Sequence, residues 1–429
     1  MKIGIVSLGC AKNRVDTENL LGRLKNAGHE FVEDPSQADA IFINTCGFIE
    51  SAKQESIDAI FEMAAARKEG AKLFVTGCLV QRYHDALSEE MPEIDGLLGV
   101  SDYDKALELL ESGERGCHTE GIERFPECGR VLTTPPYSAY VKISDGCDNR
   151  CSYCAIPLIR GRYSDRPFED IVAECERLAK SGVSEITLIA QDTSRYGTQL
   201  YGKKRLSELI RRVAEIEKLH WVRVLYCYPD TTDDELLETL AGTEKVCAYL
   251  DLPLQHINDR LLRQMNRRGT ADWIKSRIAK CRQLGITLRT TMILGFPGET
   301  EAEFEELMEF VRDTRFDRLG AFAYSPEDDT PAAEMDGQLD DGEKLRRLDD
   351  LMMLQQGISM ELNEARIGEE CEVLVEGIDD GCYYGRSRRE APESDGAIRF
   401  TSRRDIQPGE YVMVRITGAE AYDLYGEEI

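Results

Sequence analysis

Histidine and long apolar runs are scarce in this chain of 429 residues, and basic residues are outnumbered by acidic ones. Its five histidines make a histidine-rich zinc or non-haem iron site a poor candidate. No stretch approaches the roughly 18 consecutive apolar residues of a membrane span. The apolar run before Cys10 is too short for a secretion signal. We therefore expect a cytoplasmic protein with no membrane partner.

The balance of charge is strongly acidic, with 53 basic residues against 80 acidic ones and a formal net charge of −27. Proteins that bind nucleic acid usually carry a basic stripe, so this acidic excess argues against binding to a phosphate backbone. It suits a basic partner better, such as a ribosomal protein. The alternative is that net acidity only keeps the protein soluble.

The pattern of apolar runs predicts an α/β protein in three units. In 1–118, strand-like runs alternate with helical patterns, which predicts a parallel sheet covered by helices. The runs are Ile3–Leu8, Ile41–Asn44 and Leu73–Thr76. Residues 119–136 are rich in glycine and proline and are predicted to form a linker.

Six strand–helix units follow in 137–365, and they predict a partial (β/α)6 barrel. The strand candidates are Ala139–Ile143, Glu185–Ala190, Trp221–Tyr226, Tyr249–Leu254, Leu288–Leu294 and Gly320–Tyr324. In 366–429 the runs become short and are separated by glycines, which predicts a small β-barrel.

The 14 cysteines are the most informative residues. Without a secretion signal they indicate metal ligation or buried thiols rather than disulfides. Three of them form a C-x3-C-x2-C run, here called the first cysteine triad: Cys147, Cys151 and Cys154. Thiolates at this spacing can hold three irons of a 4Fe–4S cubane and leave the fourth iron open. Structural zinc is the alternative, but it normally needs four ligands.

Three further cysteines, here called the second cysteine triad, share no local motif. They are Cys10, Cys46 and Cys78, and each follows the end of a predicted strand. In a parallel sheet all three lie at the carboxyl edge, where open α/β sheets bind ligands. Glycines at 9, 47 and 77 would let the backbone approach a bulky cofactor. This arrangement predicts a second three-thiolate cluster site, whereas small residues capping strands are the simpler alternative.

The other eight cysteines lack such a pattern. Four lie in or beside predicted helices and strands and are expected to be buried thiols: Cys175, Cys227, Cys247 and Cys281. The remaining four fall at linker or C-terminal barrel positions: Cys117, Cys128, Cys371 and Cys382.

The first triad resembles the signature of radical S-adenosylmethionine (SAM) enzymes, and Tyr153 fits their usual aromatic residue before the last cysteine. Over essentially the whole chain, the sequence resembles the methylthiotransferase family. The segments that carry this likeness include SLGCAKNRVDTE at 7–18, INTCGFIESAKQESI at 43–57 and SDGCDNRCSYCAIPLIRGRYSDRP at 144–167. They look like the branch of the family that modifies a ribosomal protein, as does RSRREAPESDG at 386–396.

The resemblance implies an N-terminal methylthiotransferase domain, a radical SAM barrel and a C-terminal TRAM domain. It also implies two 4Fe–4S clusters and SAM as cofactors. The cluster of the first triad would cleave SAM to give a radical, and the cluster of the second triad would carry the sulfur. The implied product is an aspartate of small-subunit ribosomal protein twelve that carries a methylthio group on its β-carbon. An external reductant such as flavodoxin or ferredoxin would supply electrons.

Further SAM contacts are expected at the ends of two barrel strands. Gln191 and Asp192 end the second strand and could reach the methionyl part of SAM. Gly295 and Gly298 follow the fifth strand, where glycine would let the backbone approach the cofactor, although a simple turn is the alternative.

Two other functions stay open at this point. A tRNA methylthiotransferase would share the chemistry, but the acidic charge and the segments above disfavour it. The C-terminal residues 367–429 contain 15 acidic and 7 basic residues, although Arg386, Arg388, Arg389, Arg403 and Arg404 could form a local basic face. The second alternative is a non-catalytic protein whose cysteines hold structural zinc.

Overall fold

The computed structural model describes residues 1–112, 115–121, 124–125 and 129–429. None of the helices in these ranges has the length and hydropathy that a membrane span requires. Between His118 and Ser138 the described residues form no helix or strand. The domain limits at 118, 136 and 365 stay predictions.

A six-stranded parallel sheet forms the first unit, in the order β2-β1-β3-β4-β5-β6. Its strands are β1 (Lys2–Ser7), β2 (Glu30–Val32), β3 (Ala40–Thr45), β4 (Lys72–Gly77), β5 (Gly96–Leu98) and β6 (Gly116–His118). The helices are α1 (Ala11–Asn26), α2 (Glu50–Ala66), α3 (Cys78–Glu90) and α4 (Ala106–Ser112). The three predicted strands are β1, β3 and β4. The other three have three residues each, too few to show a period.

The centre of this sheet is buried on both faces, which explains its continuous apolar sequence. Along β3, Ile41 and Ile43 join the core cluster on one face, whereas Ala40 and Phe42 join the cluster on the other. Alternate side chains of a strand point to opposite faces, so one short run supplies both cores.

Six parallel strands then form an incomplete barrel, as predicted. Two three-stranded sheets, β7-β10-β11 and β12-β13-β14, are joined by a bridge between Val222 and Val246. Among the described strands β7 and β14 do not pair with each other, so the barrel stays open on one side. The strands of this unit are β7 (Ser138–Lys142), β8 (Ser144–Asp145), β9 (Ser164–Asp165), β10 (Glu185–Ile189), β11 (Trp221–Val224), β12 (Tyr249–Asp251), β13 (Thr287–Leu294) and β14 (Arg318–Ala323).

Helices cover the outside of this central barrel and enclose the largest core of the protein. They are α5 (Ile156–Arg160), α6 (Phe168–Lys180), α7 (Leu206–Ala214), α8 (Asp234–Gly242), α9 (Asp259–Gln264), α10 (Ala271–Gln283), α11 (Glu301–Thr314) and α12 (Asp341–Glu364). The sequence pattern does not reveal α12, because polar side chains such as Arg347, Gln355 and Asn363 occupy much of its buried face.

A closed five-stranded barrel ends the chain, in the order β15-β16-β17-β19-β18. Its strands are β15 (Glu370–Asp379), β16 (Cys382–Arg386), β17 (Ile398–Thr401), β18 (Tyr411–Ala419) and β19 (Leu424–Glu428). The predicted small β-barrel is confirmed.

The loop 386–396 of the C-terminal barrel packs against the inner residues of the central barrel. Arg386 Nη2 lies 2.6 Å from Glu185 Oε2, and both side chains are buried. The Tyr249 hydroxyl donates to Asp395 Oδ2 at 2.7 Å. Arg386 is buried and Arg404 is paired with Glu410 and Glu428, so these two arginines add no unpaired charge to the basic face that the sequence left open.

Candidate active site

The first cysteine triad lies in the loop that follows β7 and β8, at the carboxyl end of the central barrel. Cys151 is buried, and Cys147 and Cys154 are half-buried. Gly146 makes the turn into this loop with φ of 76°. A Cβ at that position would lie 2.3 Å from the carbonyl oxygen of Arg162, so only glycine fits. The loop therefore folds tightly back on the segment that follows the motif.

The thiols of the first triad lie close enough to influence one another. Burial raises the pKa of Cys147 to about 12, and the negative charges of Asp192 and Cys151 add to that shift. Burial raises the pKa of Cys154 as well, and Cys151 and Cys147 contribute. Three mutually repelling thiolates need a cation to be stable together.

A buried arginine supplies positive charge beside this triad. Arg267 Nη1 lies 3.8 Å from the sulfur of Cys151, and the Tyr228 hydroxyl lies 3.3 Å from the same sulfur. The guanidinium also stacks on the ring of Tyr228, 4.2 Å from its centroid. Sequence reasoning missed both residues, since neither belongs to a local motif.

Tyr153, predicted from the family likeness, is part of the same group. Its hydroxyl accepts a hydrogen bond from Arg267 Nη1 at 3.1 Å. Its ring packs against a small apolar cluster that contains Leu261, Met265 and Phe296. In the structure Tyr153 therefore orients Arg267, and its contact with SAM stays a prediction.

Gln191 and Asp192 both lie near the first triad. Gln191 Nε2 donates to Asp145 Oδ1 at 2.8 Å, while its buried Oε1 has no partner in the described residues. Asp192 accepts from Asn149 Nδ2 at 2.8 Å and from Ser194 at 2.9 Å. Burial raises the pKa of Asp192. The Asn149 contact ties Asp192 to the cysteine loop, whereas Gln191 keeps a free acceptor.

Gly295 and Gly298 both adopt left-handed backbone, with φ of 71° and 74°. A Cβ on Gly295 would lie 2.4 Å from Lys344 Cγ on α12, and a Cβ on Gly298 would meet only Arg260 Nη1 at 3.9 Å. The turn and the approach of α12 account for these glycines. Their contact with SAM stays a prediction.

The second cysteine triad lies at the carboxyl edge of the first sheet. Cys10 precedes α1, Cys46 follows β3, and Cys78 is the first residue of α3. Two of the three thiols thus stand at helix N-termini, where the backbone dipoles favour a thiolate.

The three glycines beside these cysteines bring the cysteine loops close to one another. A Cβ on Gly9 would lie 3.0 Å from Cys46 Cβ, and a Cβ on Gly47 would lie 2.8 Å from the backbone of Leu79. Gly77, with φ of 99°, would place a Cβ 2.2 Å from Asn44 Oδ1. The sequence analysis predicted that these glycines let the backbone approach a cofactor. In the structure they let the three cysteine-bearing loops approach one another.

The thiols of the second triad differ in their acidity. Dense protein around Cys10 raises its pKa, but Lys12, Arg160 and backbone N–H groups outweigh this and lower it. Burial raises the pKa of Cys46, and it raises the pKa of Cys78 to about 12. Cys10 is therefore the most thiolate-like member of this triad.

A buried ionic network joins the two triads. Arg160 Nη2 lies 2.8 Å from Asp16 and 3.6 Å from the Cys78 sulfur, and Arg160 Nη1 lies 3.2 Å from Asp145. Lys142 Nζ bridges the same two carboxylates at 2.6 and 2.8 Å. In the sequence, this network was indicated only by Lys142, a charged residue that ends the largely apolar strand β7.

The other cysteines mostly lie where the sequence predicts. Four are buried, as expected: Cys175, Cys227, Cys247 and Cys281. Cys117, expected at a linker or C-terminal barrel position, instead lies exposed in β6 at the edge of the first sheet, and Cys371 and Cys382 are half-buried. Cys128 lies outside the described residues.

The chemistry of the residues present fits an iron–sulfur cluster at each triad. Among the residues that the structure describes, no group of three or more His, Cys, Asp or Glu is arranged to hold a metal ion. A cubane spreads its thiolates over separate irons, so it needs three thiols in one neighbourhood. Each triad offers that, together with a cation, and Gln191 adds a buried acceptor without a partner.

The barrel and the three-cysteine loop at its carboxyl edge define the class as a radical SAM enzyme. The model of the radical SAM superfamily matches residues 141–311. The model of an uncharacterized family, UPF0004, matches 2–99, and the TRAM domain model matches 367–429.

Curated relatives narrow the class. The ribosomal protein uS12 methylthiotransferase RimO of Clostridium botulinum (strain Hall) is 49% identical over 435 residues, 99% of this chain and 98% of the relative. The RimO of Clostridioides difficile (strain 630) is 46% identical over 437 residues, 100% of this chain and 98% of the relative. The chain belongs to the RimO family of methylthiotransferases.

Solved structures agree on the fold. The radical SAM methyltransferase TsrM from Kitasatospora setae, solved with cobalamin and a 4Fe–4S cluster bound, aligns with a TM-score of 0.58 at 16% identity, covering 89% of this chain and 77% of that chain. The radical SAM enzyme OxsB, with aqua-cobalamin and SAM bound, aligns with a TM-score of 0.52 at 14% identity, covering 83% and 56% of the two chains.

Proposed function

We propose that this protein adds a methylthio group to the β-carbon of an aspartate in ribosomal protein uS12. The observation that carries the proposal is the 49% identity to a uS12 methylthiotransferase over 99% of the chain. An aspartate β-carbon is not acidic enough for ordinary base catalysis, so radical chemistry suits it and no general base is nominated.

We further propose that each cysteine triad holds one 4Fe–4S cluster. Bound clusters and SAM would supply the abstraction of a hydrogen atom from an unactivated carbon and the sulfur that replaces it. The support for the first site is its thiol triad beside Arg267 and Tyr228. The support for the second is the pair of thiols at helix N-termini beside Arg160.

The protein's own side chains would then have three tasks. Arg267 and Arg160 would offset the negative charge of the thiolates. The free Oε1 of Gln191 would accept a hydrogen bond from the amino group of SAM. The network around Asp145 would hold the two sites in fixed relation, because its charges are buried and mutually paired. Tyr153, Asp192, Gly295 and Gly298 remain proposed contacts of SAM.

The proposed partners follow from the same reading. The net charge of −27 suits a basic ribosomal protein, whether free or assembled on the ribosome in the cytoplasm. An external reductant, such as flavodoxin or ferredoxin, would deliver the electrons.

Anaerobic turnover tests this function. The protein is reconstituted with iron and sulfide, given SAM and reductant, and offered either a peptide of the uS12 loop or bulk tRNA. Mass spectrometry should detect the methylthio mass on the peptide aspartate alone. If the methylthio mass appears on tRNA alone, the proposed reaction is correct but the proposed protein substrate is wrong. A colourless protein that binds zinc and does not consume SAM would overturn the proposal altogether.

A further inference from the structure

Lys12 is a buried cation that forms no salt bridge with a carboxylate of the described residues. It lies in the first turn of α1, two residues after Cys10, and is only 8% exposed. Its Nζ forms no ion pair or hydrogen bond with the residues that the structure describes. The ammonium lies over the ring of Tyr226, whose centroid is 3.0 Å from Nζ. Burying an ammonium without a paired charge costs folding free energy. The charge of Lys12 therefore does not stabilise the fold, which points to a functional role.

The Tyr226 ring is held firmly beneath the ammonium. Tyr226 has left-handed backbone, with φ of 64°, which is strained for a side chain of this size. Its N–H donates to Asp251 Oδ2 at 3.0 Å, and its carbonyl accepts from the N–H of Thr193 at 3.0 Å. Two hydrogen bonds thus hold Tyr226 in an unfavourable backbone conformation. Its ring places the Lys12 ammonium just beyond the end of β11 in the central barrel.

The charges around Lys12 come from both units. Burial lowers the pKa of Lys12, and the Cys10 thiolate and the Asp251 carboxylate oppose that shift. Asp251 is itself near Arg289, with 4.0 Å between Oδ1 and Nε. Asp251 and Lys12 influence each other's charge, but no salt bridge joins them in the described residues, so the ammonium stays within reach of an anion beside the second triad.

We propose that Lys12 binds the side-chain carboxylate of the substrate aspartate and so selects an acidic target residue. This inference rests on the proposed function, in which sulfur is joined to the carbon next to that carboxylate. Because the second triad would carry that sulfur, the side-chain carboxylate of the substrate aspartate would have to bind beside it, where Lys12 lies. The adenosine of a tRNA has no such anionic group one bond from its reacting carbon.

Binding of labelled peptides to the reconstituted protein, with SAM but no reductant, tests the inference. Two peptides of the uS12 loop are compared, one with the target aspartate and one with asparagine in its place. The wild type should bind the aspartate peptide about tenfold more tightly, as a charge-assisted hydrogen bond predicts. Lys12→Met should bind both peptides equally, at the level that the wild type shows for the asparagine peptide.

Two further variants separate charge from structure. Lys12→Arg keeps a cation and should retain part of the preference for aspartate. Lys105→Met removes one positive charge at a half-exposed site paired with Glu108 and should leave the preference unchanged. Iron content and the absorption spectrum of Lys12→Met should match those of the wild type.

The inference is overturned if Lys12→Met still prefers the aspartate peptide, or if it loses affinity for both peptides alike. It is also overturned if Lys12→Met loses iron, because the lysine would then serve the cluster site. In these cases the wild type still modifies the peptide, so the proposed function survives. Modification of tRNA alone by the wild type would overturn both.

Discussion

The guanidinium of Arg160 lies 3.6 Å from the sulfur of Cys78, although 82 residues separate the two in sequence. Arg160 ends α5, the helix that directly follows the first triad, and Cys78 begins α3 beside the second. One buried arginine therefore contacts Cys78 of the second triad and, through Asp145, the segment that leads into the first triad. Its guanidinium also pairs with Asp16 and Asp145, which fix its position.

We expect Arg160→Met to destabilise the protein by about 3–5 kcal/mol, because Asp16 and Asp145 would stay buried with too little positive charge. Arg160→Lys should lose less, since the charge remains but the planar fork does not. The measurement is urea unfolding of the protein without clusters. Arg162→Met is the matched control: its side chain is 76% exposed and pairs with Asp148, so it should cost less than about 1 kcal/mol. Equal effects at 160 and 162 would contradict the network.

The two triads should be separable by iron analysis. Changing Cys147, Cys151 and Cys154 to alanine should remove about half of the iron and sulfide and abolish SAM cleavage. Changing Cys10, Cys46 and Cys78 should remove the other half, leave SAM cleavage intact and abolish methylthio transfer. Cys175→Ala, at a buried thiol of α6, should change neither quantity. Loss of all iron from either triple variant would mean that the triads do not hold independent clusters.

Gly295→Ala should destabilise the protein more than Gly298→Ala does. Both positions have left-handed backbone, which costs an alanine about 1–2 kcal/mol. Only at Gly295 would the added methyl group also collide with Lys344. Chemical unfolding of the two variants measures the difference. If the two variants are equally stable, α12 does not restrict position 295.

Docking of the C-terminal barrel should depend on pH through Glu185. Burial raises its pKa, but Arg386 and Arg223 outweigh that effect and lower it to about 2, against an ordinary value of 4.5. A lowered carboxyl pKa means that the stabilisation is complete above about pH 4.5 and is lost as the pH falls towards 2.

Glu185→Gln tests that dependence. At pH 7 we expect it to cost about 3 kcal/mol, the low end for breaking a buried pair, since Arg386 keeps Glu376 at 2.7 Å. The gap between wild type and variant should narrow below pH 4.5 in unfolding experiments. A gap that stays constant down to pH 3 would show that the charge of Glu185 is not what stabilises the docked barrel.

Much of the architecture was predictable because it is encoded locally. The apolar runs that became β1, β3 and β4 are continuous, since central strands of a parallel sheet are buried on both faces. The first triad was equally visible, because its three cysteines occupy eight consecutive residues. Short edge strands such as β2 and the polar helix α12 were missed, since neither shows an apolar period.

The sequence by itself determined the class of chemistry: three thiols at a fixed spacing and three more in phase with strand ends. Only the tertiary structure decided which charges serve those thiols. The roles of Arg160, Arg267 and Lys12 depend on contacts with Cys78, Cys151 and Tyr226, which lie far from them in sequence. Burial makes these charges matter, because an ion pair gains strength only where water is excluded, and burial is a property of the assembled fold.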